Sequence, residues 1–297
     1  MQPQISVIIP VYNGEKTIEK TLNSVLNQTF KSLEVIVIND GSTDSTLHII
    51  KNINDSRLQV FSYPNAGLAA SRNRGLSRCV GKYISFIDAD DLWTPDKLDS
   101  QIQLLENNSD AAVAYSWTDY IDGNEQFFKA GRRVTVTGDV YKQLLQWNFL
   151  ENGSNPLICY EAIQAVGNFD ETLKAAEDWD MWLRLAANYK FVVVPKAQIL
   201  YRVSANSMSS NIKVQEIESL KVIERAFCSD KATSLQHLKI RSLAYLYKYL
   251  TFKSVERPIN FYKRWISLKF LGKYIKYKPP AICEKLTLIA LLKILIP

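Results

Sequence analysis

Histidine is nearly absent from this 297-residue chain: His48 and His237 are the only two, too few for a histidine-rich metal centre or a Ser-His-Asp triad. Cysteine is sparse and scattered. Cys79, Cys159, Cys228 and Cys283 show no paired spacing, which argues against a zinc site or a disulfide framework and fits a reducing cytosol. Neither GxxxxGK nor GxGxxG occurs, so the glycine-rich loops that cradle nucleoside triphosphates or dinucleotides are unsupported. The first ten residues, MQPQISVIIP, place no basic region ahead of their short apolar run, and the run predicts a first strand in place of a leader. The most apolar stretch, 286–296, is interrupted by Lys293 and has about half the roughly 20 residues a spanning helix needs.

What is present is an ordinary globular composition, 47% hydrophobic and 22% charged, with length for one large domain and an appendage or for two domains. The net charge of +6 hides an asymmetry. Residues 205–297 carry 17 Lys+Arg against 6 Asp+Glu, and residues 1–204 carry 19 against 24. An acidic first part therefore precedes a basic tail.

The chain is organised around residues 82–95, KYISFIDADDLWTP. Tyr83, Ile84, Phe86 and Ile87 predict a buried strand that ends in Asp88, Asp90 and Asp91. Carboxylates are rarely buried unpaired, so a cluster at a strand's carboxyl end belongs in a crevice facing a cation or polar ligand. In extended backbone Asp88 and Asp90 share a side, as holding one divalent ion requires. A solvated turn, with Asp91 or Thr94 capping the next helix and Pro95 at its first position, explains the helix start but not Asp88 and Asp90.

Around this stretch the pattern alternates. Residues 5–9 form a strand closed by Pro10, and Ile18, Leu22, Val25 and Leu26 have helical spacing. Residues 34–38 form a second strand ending at Asn39, Asp40 and Gly41, with Ser42 or Thr43 as the next cap. A third strand, 58–63, leads through a turn at 65–67 to a helix bearing Arg72, Arg74 and Arg78. The expectation is an α/β fold with a mostly parallel sheet, and with Pro10–Asn13, Asp40, Asn65 and Asp88–Asp91 along one rim at its carboxyl edge.

Further on, the pattern predicts a helix over 95–107, a strand over 111–117, a short hairpin or edge strand near 133–136, a helix over 138–150, and strands over 191–195 and 198–201. The polar loop 203–211 is either a cover for a ligand or a linker. Glu177, Asp178 and Asp180 open a helix among Trp179, Met181, Trp182, Leu183 and Leu185. They either complement the helix dipole or line a pocket where a desolvated carboxylate becomes a base. The tail interleaves Lys/Arg with Tyr, Trp and Phe on helical spacing, which suits an anionic membrane surface, nucleic acid, or lysines snorkelling over a helix-pair core. We favour peripheral membrane association.

Five segments in order, SVIIPVYNGEKTIEKTLNSVLNQTF, VINDGSTDST, NAGLAASRNRGL, YISFIDADDLW and AEDWDMWLRLA, resemble the family 2 inverting glycosyltransferases over residues 4 to about 211. The resemblance implies a GT-A type fold and a nucleotide-sugar donor, with 1–108 as the nucleotide-sugar half, 109–211 as the acceptor half and 212–297 as a basic helical region. It implies Pro10, Tyr12, Asn13, Asp40, Asn65, Arg72 and Asp88 as nucleotide-binding residues, and Asp40 as the contact to a uracil-type base. It implies Asp90 as ligand of Mg²⁺ or Mn²⁺ and Asp178 as catalytic base, with Glu177, Asp180 and Trp182 shaping the acceptor pocket. Many members carry a histidine shortly after the Tyr-Arg that ends the last core strand. Here Val203 and Ser204 follow Tyr201-Arg202, so Arg202 is held as a candidate diphosphate contact. The partners implied are a nucleotide-sugar and a saccharide or lipid-linked glycan, with no nucleic acid, and the location is the cytoplasm or the cytoplasmic face of a membrane. A non-catalytic saccharide-binding or scaffolding subunit is the alternative; it predicts loss of the acids, yet Asp88, Asp90 and Asp178 are present.

Overall fold

The structure is a computed structural model that describes residues 2–203, 211–256 and 261–295. The chain divides into two compact units: Met1–Val140 with Phe149–Leu173 and Arg184–Ser204, and Tyr141–Asn148 with Lys174–Leu183 and Ala205–Pro297.

The first unit is built on a sheet whose strands run β3-β2-β1-β4-β8-β6-β9-β5, with β7 added to β6. β1 (Ile5–Val11), β2 (Leu33–Asn39), β3 (Leu58–Ser62) and β4 (Tyr83–Phe86) are parallel neighbours, and β6 (Ala111–Ile121) and β9 (Lys190–Arg202) form a long parallel pair. The short ladders of β5 (Leu92–Trp93), β7 (Phe127–Ala130) and β8 (Leu157–Cys159) are antiparallel. The apolar runs of β1 and β2 are buried along their whole length, as strands covered on both faces must be. Helix α1 (Ile18–Leu26) buries the expected Ile18, Leu22, Val25 and Leu26. Helix α3 (Leu68–Leu76) crosses β1 closely at Gly75, where a Cβ would lie 2.4 Å from an Ile8 methyl; only glycine fits there.

Pro10 links sequence to site. Val11 faces β2, since its carbonyl accepts from the Asp40 N–H, while Ile8 faces β4 and accepts from the Ile87 N–H. Alternation puts the Pro10 nitrogen on the β4 side without a proton to give. The β1–β4 ladder accordingly ends at Ile8↔Phe86, and the chain is released there into its three carboxylates.

Several local expectations are corrected. Asp88–Asp91 is a turn, closed by the Asp91 N–H to the Asp88 carbonyl at 3.0 Å, so the extended-chain argument for a shared side does not apply. Helix α2 (Thr46–Lys51) is opened by Asp44, which accepts from the Thr46 N–H at 3.0 Å, because Ser42 and Thr43 are drawn to Asn13. Helix α4 (Lys97–Glu106) starts after Asp96. The edge strand is β7, earlier than 133–136; the Val134 and Val136 carbonyls accept instead from Trp117 Nε1 and Tyr115 Oη on β6, both at 2.7 Å. Helix α5 spans only Tyr141–Gln146, and the last two expected strands are one continuous β9. The polar loop expected as either a ligand cover or a linker lies, for 204–210, outside the described residues.

The second unit contains α5, the first residues of α7 (Glu177–Asn188), α8 (Ile212–Phe227), α9 (Lys239–Ser254), α10 (Phe261–Tyr277) and α11 (Lys285–Leu295). Its aromatics are partly core. Tyr247 on α9 stacks on Tyr277 at 5.7 Å and lies 6.1 Å from Phe270 on α10, ring centre to ring centre. Ser254 and Ser267 share a buried hydrogen bond of 2.7 Å. Among the described residues no helix is long and apolar enough to cross a membrane.

Candidate active site

Parallel strands all end on one edge, so the residues after β1, β2 and β4 meet there. Asp40 ends β2 almost fully buried. Its Oδ1 accepts from the Ala66 N–H (2.9 Å) and Arg74 Nη1 (2.9 Å), and its Oδ2 accepts from the Gly67 N–H (2.8 Å). Asn65 Nδ2 donates to the Asp40 carbonyl at 2.9 Å. A carboxylate has about four acceptor positions, which leaves one for a ligand. At the β1 exit Asn13 adopts φ +51°, a left-handed conformation that asparagine tolerates; its Oδ1 accepts from the Thr43 N–H at 2.8 Å. Tyr12 stands 55% exposed beside it, and Pro10 is buried.

The carboxylate turn is held from every side. Arg72 Nη2 donates to Asp88 Oδ1 at 2.9 Å, and the guanidinium lies 5.4 Å from the Phe169 ring centre and 6.0 Å from that of Phe86. The Asp88 N–H donates to Ser154 Oγ (3.0 Å), which donates in turn to Asp91 Oδ2 (2.5 Å). Thr21 Oγ1 lies 2.9 Å from both the Ala89 and Asp91 carbonyls. The Arg202 N–H reaches Asp91 Oδ1 (3.0 Å) and its Nε donates to the Asp90 carbonyl (2.8 Å). The rest of the Arg202 guanidinium meets the β6–β7 turn at the Asp122 and Gly123 carbonyls and Glu125 Oε1. Arg202 thus joins that turn to the acidic one.

Sequence reasoning missed Gly153 and Ser154, which lie just beyond the helix expected over 138–150. A Cβ at Gly153 would lie 2.3 Å from Arg72 Nη2. We predict that Gly153→Ala displaces the buried Arg72 guanidinium and so breaks its pair with Asp88. Losing a charge-assisted hydrogen bond costs about 1.5–3 kcal/mol, so nucleotide affinity, measured by titration, should fall about tenfold or more; unchanged affinity would show that Arg72 does not order the turn.

The electrostatics are unbalanced. Burial, then the charge of Asp88, push Asp90 up to about 6, with Arg202 opposing. Asp91, wholly buried, is raised well above the usual carboxylate range by burial and by its two neighbours. Among the described residues no group of three or more His, Cys, Asp or Glu could hold a metal by itself. One or two carboxylates with ligand phosphates are nevertheless the usual Mg²⁺ arrangement. The oxygen donors of Asp90 and of Asp88, the latter paired with Arg72, fit such an ion.

In the second unit Asp178 lies in the first turn of α7. Its Oδ1 accepts from the Trp179 N–H at 2.6 Å and its Oδ2 from Asn148 Nδ2 at 3.3 Å. Desolvation, then the charges of Glu256 and Asp178, push the Tyr249 phenol up to about 12, although 46% of the residue's surface is exposed. Glu177 and Trp182 are buried and Asp180 half-buried. Ala176, just before the helix, sits at φ +59°, a conformation that costs a non-glycine residue about 1–3 kcal/mol and clusters at functional sites. Asn148 and Tyr249 carry no sequence signal that would mark them.

The family model for glycosyltransferase-like family 2 matches residues 6–254. The chain belongs to that family. It is a glycosyltransferase chain by this membership. A Rickettsia bellii protein described as an uncharacterized glycosyltransferase is 32% identical over 251 residues, 82% of this chain; the match spans 36% of that relative's length. Among solved structures, S. aureus TarS 1-349 in complex with UDP superposes with a TM-score of 0.64 at 22% identity, covering 98% of this chain and 86% of that one. The mannosyltransferase PcManGT from Pyrobaculum calidifontis, in complex with GDP-Man and Mn²⁺, gives 0.64 at 18% identity, covering 100% and 88%. These two likenesses are of fold, and the fold is the GT-A type.

Proposed function

We propose that the chain is an inverting glycosyltransferase that takes a sugar from a nucleoside diphosphate donor, a UDP-sugar by preference, and joins it to a hydroxyl of a saccharide or lipid-linked glycan. It would work as a peripheral protein at a membrane. The observation that carries this reading is the rim itself: Asp40 with Asn65, Arg72 with Asp88, and Asp90 in the same turn as Asp88 stand at adjoining strand ends. In solved structures of this fold, TarS carries UDP and PcManGT carries GDP-Man with Mn²⁺.

On this reading the fourth acceptor position of Asp40 takes a ring N–H of the base, with Tyr12 and Asn13 beside it, and Asp88, held by Arg72, faces the ribose. A divalent cation, Mg²⁺ or Mn²⁺, held by Asp90 would neutralise charge building on the departing diphosphate. Arg202 fixes the backbone of the acidic turn. Asp178 takes the proton from the acceptor hydroxyl as its oxygen bonds to the anomeric carbon and the carbon–phosphate-oxygen bond breaks on the opposite face. Glu177, Asp180 and Trp182 shape the acceptor's side. One carboxylate acts as base and none as proton donor, unlike glycoside hydrolysis.

The test is proton NMR of the full chain with UDP-glucose and Mn²⁺, then UDP-GlcNAc, GDP-mannose and dTDP-glucose, using water as a slow acceptor. The expected result is metal-dependent release of nucleoside diphosphate, with the free sugar appearing first as the anomer opposite to the donor's. First appearance of the same anomer would exclude inversion, and silence across the panel would overturn the donor assignment.

A further inference from the structure

The second unit leaves a large apolar surface uncovered on helices whose inner faces are already satisfied. On α10, Ile266, Phe270, Leu271 and Tyr274 are buried, while Tyr262, Trp265 and Leu268 point outward with 48%, 51% and 43% of their surface exposed. On α11, which packs on α10, Thr287, Ala290 and Ile294 are buried. Leu288 and Leu292, one turn apart, are 59% and 47% exposed, and Ile282 in the 3-10 turn between the helices is 64% exposed. Single exposed apolar residues mean little; rows of them on two packed helices mark an interaction surface.

Charge chooses the partner. Residues 261–295 carry eight Lys/Arg against one carboxylate, Glu284. Lys273 pairs with Glu216 and Lys278 with Glu284, so basic charge is left in excess. Lys269 Nζ lies 3.5 Å from the centre of the Trp265 ring. An indole beside a long aliphatic stem with a charged tip suits the boundary between acyl chains and headgroups. An 11-residue α11 is about 16 Å long, too short to cross a bilayer and suited to lie in its interface. Nucleic acid would employ the lysines but leave the leucines uncovered.

We propose that the outward rows of α10 and α11 dock on an anionic bilayer, with Trp265, Leu268, Leu288 and Leu292 entering the interface and lysines pairing with acidic headgroups. This deepens, and rests on, the peripheral-membrane part of the proposed function; the donor chemistry is independent of it.

The test is sedimentation of the full chain with vesicles of phosphatidylcholine alone and of phosphatidylcholine with about 30% phosphatidylglycerol, beside the quadruple variant Trp265→Ser, Leu268→Ser, Leu288→Ser and Leu292→Ser. Melting temperature and UDP titration establish that the variant keeps its fold and donor binding. A second variant, Lys269→Glu with Lys276→Glu, probes charge alone. The expected result is at least about tenfold tighter binding to the anionic vesicles, since each lysine near such a surface adds to affinity, and a loss of about tenfold or more in either variant. No binding of the wild type to either vesicle would end the membrane reading altogether. Wild-type binding by both variants would overturn this surface and leave membrane association elsewhere on the chain. Tighter binding to single-stranded RNA at the same salt than to any vesicle would also overturn the proposal.

Discussion

Asp178→Asn is expected to bind donor about as well as the wild type and to transfer sugar about 10²–10⁴ times more slowly, the range a general base contributes. Asparagine is nearly isosteric. It keeps an acceptor for the Trp179 N–H, so the helix start should survive, while the capacity to take a proton is lost. The loss should appear in kcat with little change in the donor KM, as for an interaction made only in the transition state. A single-turnover experiment separates that from slow product release. A turnover number within a factor of two of the wild type would remove Asp178 from the role of base.

Asp90→Asn is expected to move stability and function in opposite directions. In the folded chain burial and the Asp88 charge hold Asp90 near 6, above the ordinary carboxylate value. The folded state therefore binds a proton more readily than the unfolded state, and Asp90's share of stability is lost as pH rises from about 4 to about 6. Removing the charge without metal should raise the melting temperature at pH 7 by about 2–4 °C, the shift about 1 kcal/mol produces in a chain of this size. The gain should vanish near pH 4, where the wild-type group is already neutral. Mn²⁺ with nucleotide should stabilise the wild type and not the variant. Proton and metal compete for one carboxylate, so wild-type metal-dependent affinity should fall about tenfold per pH unit below about 6. An apo variant less stable than the wild type at pH 7 would mean that Asp90 is compensated by groups other than Arg202.

How far the sequence carried depends on the range of the interactions. The rim was legible because its signals are local: apolar runs such as 5–9 and 34–38 end abruptly at polar residues, and parallel strands must bring such ends together. The turn geometry of Asp88–Asp91 was misread because strand spacing was extended past Phe86, where the proline in β1 had already ended the ladder. Ser154 was invisible for a different reason. It sits 63 residues from Asp91, and nothing in the order NGSN says which carboxylate its hydroxyl will meet. Lys97 is a similar case. In sequence it is one helix lysine among many, yet it is wholly buried, with Nζ 2.6 Å from Ser85 Oγ and 3.8 Å from the centre of the Trp93 ring, and burial drives its pKa well below the usual amine range. In the tail, periodicity identified helices but not which aromatics would be core: Tyr247, Phe270 and Tyr274 are buried, whereas Tyr262 and Trp265 face outward.

The most direct test of the central claim, that the carboxyl edge of this sheet is a metal-assisted nucleoside diphosphate site, is calorimetric titration of the full chain with UDP, with and without Mn²⁺. The account predicts saturable binding at one site that strengthens at least about tenfold with Mn²⁺, a coupling of about 1.4 kcal/mol. Absence of binding to UDP, and equally to GDP and dTDP, with the metal present would contradict it.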